Sequence, residues 1–194
     1  MKKFLSLLSL SFLLLACDKP TTPKVEFSNS DVTGLEGARG FALTDHNGKA
    51  RTLADFKGKV VLMFFGYTQC PDVCPTTMAE MALVLKELGP QADQVQVLFV
   101  TLDPQRDTQA LLAQYVPAFD ARFLGLYGDA RATAEVAKQF KVFYSRVAGS
   151  TPGSYTLDHT AGSYVFDRDG KLRLFVRHGQ GAAPIVHDVK MLLP

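Results

Sequence analysis

Residues Val60 to Phe65 read VVLMFF, apolar at every position. A run of that length is too short for a typical helix and has the pattern of a strand covered on both faces. Val95 to Thr101, VQVLFVT, repeats it. Between them, Thr76 to Leu88 places Met78, Met81, Ala82, Leu85 and Leu88 at helical spacing, and Gly89-Pro90 supplies a stop. Further helices are predicted over Thr108 to Val116 and Ala130 to Phe140, with a closing one over Pro184 to Leu193. Strands are predicted around Phe41 to Leu43, Phe123 to Leu126, Val142 to Val147, Ser163 to Phe166 and Leu172 to Val176. The turn Asp45 to Gly48 follows the first of these, and Asp167-Arg168-Asp169-Gly170 joins the last two as a hairpin.

Strand, helix, strand, then a late antiparallel hairpin and a final helix describe an α/β domain, a mixed sheet flanked by helices with a late β-hairpin. A thioredoxin-like fold satisfies that order, although order alone does not separate it from other α/β folds.

The N-terminus follows a different pattern. Lys2 and Lys3 precede an apolar run from Phe4 to Ala16, too short to span a bilayer and suited to the core of an export signal. Leu14-Leu15-Ala16-Cys17 resembles the bacterial lipobox, which implies cleavage before Cys17 and lipidation of its sulfur. Asp18 in the next position implies retention at the bacterial inner membrane, on its periplasmic or other extracytoplasmic face, if the enterobacterial rule holds. The expected organisation is a signal peptide at 1–16, a lipidated flexible tether at 17–37 and a folded domain at 38–194. A tether of that size holds the domain about 25 Å from its anchor on average.

Composition narrows the partners. The chain has 194 residues, is 47% hydrophobic, and carries 21 basic against 19 acidic side chains. Loss of residues 1–16 removes two lysines and no acid, which leaves the remainder balanced. A neutral chain without a basic block offers no footprint for nucleic acid, and membrane attachment is expected from lipid alone.

Chemistry concentrates in Gly66-Tyr67-Thr68-Gln69-Cys70-Pro71-Asp72-Val73-Cys74-Pro75, where the first buried strand meets the first helix. With Cys17 assigned to lipid, Cys70 and Cys74 are the thiols that remain. Their Cys-x3-Cys spacing departs from the Cys-x2-Cys of thioredoxin redox motifs. Pro75 is favoured at the first helical position, which would put Cys74 at the N-cap and Cys70 in the preceding turn. Unpaired amides and the helix dipole would then lower the thiol pKa values and make both sulfurs reactive.

Three readings of the pair are open: a structural disulfide, a redox dithiol and a metal site. A bridge across so small a loop removes little entropy from the unfolded chain, so the first is the weakest. A metal needs further ligands. His46 falls in a turn, His178 follows a strand and His187 lies on the last helix, all ordinary surface or packing positions. His159, in Leu157-Asp158-His159-Thr160, follows the Gly-rich stretch Gly149 to Gly153 and is expected in the loop before the strand Ser163 to Phe166, which in a thioredoxin-like topology faces the cysteine helix. Two thiolates and one imidazole form a soft set that suits Cu(I), with Cu(II) left open, whereas structural zinc takes four protein ligands.

The stretch Phe64 to Thr68 with Cys70-Pro71-Asp72-Val73-Cys74-Pro75, then Thr101-Leu102-Asp103-Pro104-Gln105-Arg106-Asp107-Thr108, then Asp158-His159-Thr160, resembles the Sco/SenC family over roughly residues 39–193. The resemblance implies a membrane-tethered thioredoxin-fold protein that binds copper through Cys70, Cys74 and His159. It implies a metallochaperone role at the binuclear copper site of cytochrome c oxidase, with the copper-site subunit of the oxidase as partner. Alternatives are a thiol-disulfide oxidoreductase, in which Cys70 and Cys74 form a redox-active disulfide, and a copper-responsive redox sensor. An upstream copper carrier or a thioredoxin-like reductase would be a further partner. Asp72, Asp103 and Asp158 are motif positions that could orient ligands or dock partners, although for each the simplest role is to cap a turn. Peroxidases of the same fold need Thr or Ser three residues before their cysteine; Tyr67 and Pro71 stand there, so no peroxidase activity is expected.

Overall fold

The computed structural model describes residues 26–194 apart from residues 36 and 39. The signal peptide, Cys17 and most of the tether lie outside the described residues. Strands β1 (Ser30–Asp31), β2 (Ala42–Asp45), β3 (Ala50–Thr52) and β4 (Val60–Gly66) precede helix α1 (Val73–Leu88). Then follow β5 (Val95–Thr101), α2 (Gln109–Tyr115), β6 (Leu124–Tyr127), α3 (Ala130–Gln139), β7 (Tyr144–Ala148), β8 (Tyr155–His159), β9 (Gly162–Phe166), β10 (Leu172–Arg177) and α4 (Ala182–Leu192).

The two apolar runs form the centre of the sheet, because only strands with neighbours on both edges and layers on both faces can hide every residue. All seven residues of β4 are buried. The sheet has eight strands in the order β1-β10-β9-β4-β5-β6-β2-β3, with β4, β5 and β6 parallel and the other pairings antiparallel. Alternation along β4 sends neighbouring rings to opposite faces. Phe64 meets Phe99 on one face, while Phe65 meets Phe140 and Tyr164 on the other. Helices flank this mixed sheet, α1 packing against α4. The arrangement is the thioredoxin-like α/β fold.

Helix ends follow their local chemistry. Thr108 caps α2 by accepting from the Leu111 amide, and Asp129 caps α3 by accepting from the Ala132 amide. Gly48 adopts φ +82° in the turn between β2 and β3, a conformation that L side chains rarely take.

Three expectations need correction. Residues 27–31 are not free tether: β1 pairs with the edge strand β10, and Phe27 packs against the core. The amides of Ser28 and Asn29 each donate to the Asp188 carboxylate at 2.8 Å. Burial alone would raise the Asp188 pKa, but hydrogen bonds from His187, Ser28 and Asn29 hold it below the usual carboxylate value. Second, His159 ends a strand, β8, where a loop was expected. That strand pairs with β7 in a separate two-stranded ribbon. Third, α1 begins three residues earlier than the periodicity indicated.

Candidate metal centre

The sulfur side of the site grows from the end of β4. Gly66 is required there by close approach, since a Cβ would lie 2.9 Å from the Cys74 Sγ and 2.8 Å from the Phe64 ring. The chain then turns through Tyr67 to Cys70 and enters α1, whose N-cap is Asp72. Cys74 is therefore the second helical residue and Pro75 the third, not the N-cap and first. Proline is tolerated at the third position because the first-turn amides have no intrahelical acceptor. The free Cys74 amide donates to the Cys70 Sγ at 3.4 Å. Both cysteines are free thiols, Cys70 half-buried and Cys74 with 0% of its surface exposed.

Burial changes the expected reactivity. Exclusion of water pushes the Cys74 thiol far up from its ordinary pKa, and the neighbouring Cys70 and Asp107 add to the rise. For Cys74, burial therefore works against the activation expected at a helix N-terminus. A buried thiol of this kind becomes a thiolate when a cation replaces its proton.

The imidazole arrives from the opposite side. His159 Nδ1 donates to the Thr160 carbonyl at 3.0 Å, which leaves Nε2 as the unprotonated nitrogen, 3.6 Å from the Cys74 Sγ. Thr160 is itself fixed to Phe143, whose amide donates to its hydroxyl at 3.1 Å and whose carbonyl accepts from its amide at 3.0 Å. Phe64 and Tyr67 present ring edges or faces to His159 at centroid distances of 6.2 and 6.0 Å. Burial lowers the His159 pKa against a smaller opposing effect of the Thr160 carbonyl, so the ring is neutral at neutral pH. A fixed tautomer with a bare, inward nitrogen is how metal-binding histidines are prepared.

Cys70, Cys74 and His159 bring their three donor atoms within 4.8 Å of one another. Around a trigonal ion with bonds of about 2.3 Å to sulfur and about 2.0 Å to nitrogen, donors stand roughly 3.7 to 4 Å apart. The residues present fit such an ion after a contraction of less than about 1 Å.

The other candidates separate from this centre. His46 is buried and accepts from the Gly125 amide at 3.0 Å, while His178 and His187 are exposed. Asp158 is exposed on the outer side of β8, and Asp72 accepts from the Thr76 hydroxyl at 3.3 Å. Asp103 is buried and accepts from the Tyr155 hydroxyl at 2.8 Å, more than a turn cap.

Residues that periodicity and spacing did not single out complete the surroundings. Asp107 is buried beneath the cysteine loop and accepts from the Thr68 amide at 3.0 Å and from the hydroxyls of Thr68 and Thr101, both at 2.6 Å. Burial raises its pKa, partly opposed by those bonds. Its place in the run Thr101 to Thr108 was the available signal, because a polar cluster directly after a buried strand needs an internal partner.

A thioredoxin-like domain with two cysteines and a histidine converging above the central strand defines a class of metal-binding thiol protein. Residues 32–194 match the SCO1/SenC family, and the chain belongs to that family. It is 38% identical over 156 residues to the mitochondrial SCO2 homolog of Bos taurus, covering 79% of this chain and 59% of that protein. The chain thus spans about three fifths of that relative's length. The structure of Bradyrhizobium japonicum ScoI with copper bound is 42% identical, with a TM-score of 0.74 over 81% of this chain and 99% of that one. The solution structure of apo Sco1 from Thermus thermophilus is 37% identical, with a TM-score of 0.77 over 89% of this chain and 100% of that one. Among the described residues, no helix is long and apolar enough to cross a membrane.

Proposed function

We propose that the chain is a copper metallochaperone that holds one Cu(I) between Cys70 Sγ, Cys74 Sγ and His159 Nε2 and passes it to the binuclear copper site of cytochrome c oxidase. The observation that carries this reading is the convergence of two sulfurs and a bare imidazole nitrogen within 4.8 Å. Copper is cargo here. A three-coordinate shell leaves room for a donor from the acceptor protein, so the ion can change hands by ligand exchange without entering water. Membership of the SCO1/SenC family and the copper-bound ScoI relative support the choice of copper and of the oxidase. Attachment through lipid on Cys17, at the extracytoplasmic face of a bacterial inner membrane, would keep the domain near a membrane-bound acceptor.

The experiment is anaerobic Cu(I) titration of the reduced chain, followed by mixing with a soluble acceptor domain that carries the oxidase copper-site cysteines. One equivalent bound at micromolar affinity or tighter, then moved to the acceptor, is expected. Absence of tight binding removes the proposal, and binding without transfer removes the delivery role.

A second reading is favoured by the asymmetry of the thiols. Cys70 is half-buried and lies within reach of the Cys74 amide, whereas Cys74 sits behind it. Cys70 thiolate could attack an acceptor disulfide, form a mixed disulfide and release one acceptor thiolate. Attack by Cys74 would then release the second and leave a Cys70–Cys74 disulfide, so that two electrons pass to the acceptor. A dithiol potential too oxidising to reduce the acceptor disulfide eliminates this role and leaves copper binding intact.

A further inference from the structure

The ribbon of β7 and β8 is a separate two-stranded sheet, and an isolated ribbon of that size is marginal in water. Its position therefore comes from packing on the rest of the domain, through Tyr144 of β7 and the inner face of β8. Alternation places Tyr155, Leu157 and His159 on one face of that strand. Leu157 is buried in the core and His159 reaches the sulfurs. Tyr155 is held by two residues of the connection between β5 and α2. Its hydroxyl donates to both Asp103 carboxylate oxygens, at 2.8 and 3.1 Å. Arg106 donates from Nη1 to the Tyr155 carbonyl at 2.8 Å and stacks 3.6 Å above the Tyr155 ring.

The same guanidinium reaches the other half of the site. Nη1 also donates to the Gln69 Oε1 at 3.1 Å, one residue before Cys70, while Nε donates to Asp103. Its carbon lies 5.7 Å from the ring centre of Tyr67, the ring that meets His159. A flat, forked cation can make these contacts at once, which a lysine ammonium cannot.

We infer that Arg106 is a positioning residue that clamps the histidine strand to the cysteine loop and so sets the distance from His159 to the two sulfurs. The inference rests on the copper site proposed above. The hydrogen bonds of Arg106 go to Asp103, Gln69 and Tyr155 and to none of the three donor residues, so it acts through Tyr155 and Gln69. Asp103 orients it, and Arg146, whose guanidinium carbon lies 4.4 Å from the centre of the Tyr155 ring, supplies a second cation on that ring.

Arg106→Lys keeps the charge and removes the fork. Cu(I) affinity is expected to fall about tenfold, the lower end of the effect of partners outside the ligand shell. In a His159→Ala background the same substitution is expected to change affinity by less than about twofold, the usual limit for uncoupled sites. Equal losses in both backgrounds overturn the inference. Amide hydrogen exchange of the metal-free chain supplies a readout independent of copper: β8 should exchange faster while β4 stays unchanged, and uniform acceleration or an unaltered β8 contradicts the clamp. Arg146→Lys should leave both measurements as they were. Should Arg106→Lys fail to fold, Tyr155→Phe removes only the hydroxyl bonds to Asp103 and should move both readouts the same way by less. If the parent chain and His159→Ala bind copper alike, the copper-site reading fails, and the exchange data still decide whether Arg106 clamps the ribbon.

Discussion

The sulfur-bearing and imidazole-bearing sides of the site are built to different standards. Cys74 sits at the junction of α1 and a strand with every residue buried, covered on all sides and fixed by the glycine beneath it. His159 is carried on a ribbon whose two strands pair with each other and not with the main sheet, flanked by Phe143 with 65% of its surface exposed. Local opening costs least where few apolar groups are buried. A site with one rigid half and one adjustable half suits the proposed transfer, because it can hold a soft cation and still open to an incoming donor.

The largest expected effects test that division directly. Cys74→Ala removes an anchored thiolate and should weaken Cu(I) binding more than about 100-fold, beyond the range of outer partners. His159→Ala should cost less, about 10- to 100-fold, and should lower unfolding stability by about 1 kcal/mol, because it removes a partly buried ring packed on Phe64 and Tyr67. Competition against a Cu(I) chelator and urea unfolding measure both. A histidine effect larger than the cysteine effect would reverse the assignment of rigid and adjustable halves.

Gly66→Ala attacks the rigid half alone. The added methyl meets Phe64 at 2.8 Å, Cys74 Sγ at 2.9 Å and Phe99 at 3.1 Å. Overpacking of that kind should destabilise the fold by about 1 to 3 kcal/mol in urea unfolding. The ribbon is expected to keep its own hydrogen-bond pattern, visible in the amide resonances of β7 and β8.

The smallest effect is the pH dependence of the metal-free chain. Burial lowers the pKa of His46, opposed in part by Asp45, and burial likewise lowers that of His159. The unfolded chain therefore takes up protons first as the pH falls through the ordinary histidine value of 6.5. Stability should decline with falling pH from that point and stop declining once the folded imidazoles protonate too. His46→Asn can keep an acceptor for the Gly125 amide, and it should flatten the decline in urea midpoints between pH 7.5 and 5.5. An unchanged slope would show that His46 is not one of the titrating groups.

Much of the frame was legible in the sequence because burial writes itself into apolar runs. The stretches that became β4 and β5 and the periodic stretch that became α1 needed no tertiary knowledge to recognise. The ribbon was harder. Tyr155-Thr156-Leu157-Asp158-His159 alternates, but only one of its three inward residues is aliphatic, and it follows a Gly-rich turn that reads as loop. The short strand β1 is two polar residues, and the segment just before it is held by a buried acid about 160 positions away. The burial of Cys74 escaped notice for a related reason. Its position near a helix start is local, whereas the desolvation that governs its proton comes from the packed sheet. His159 was identified through the combination of motifs, while the contact of Arg106 with Tyr155 spans 49 residues and left no spacing rule to find.

X-ray absorption at the copper edge of the anaerobically loaded chain addresses the donor set itself. Two sulfurs and one imidazole nitrogen should surround the ion, and the nitrogen should vanish in His159→Ala. A two-sulfur environment identical in both proteins would contradict the three-donor site.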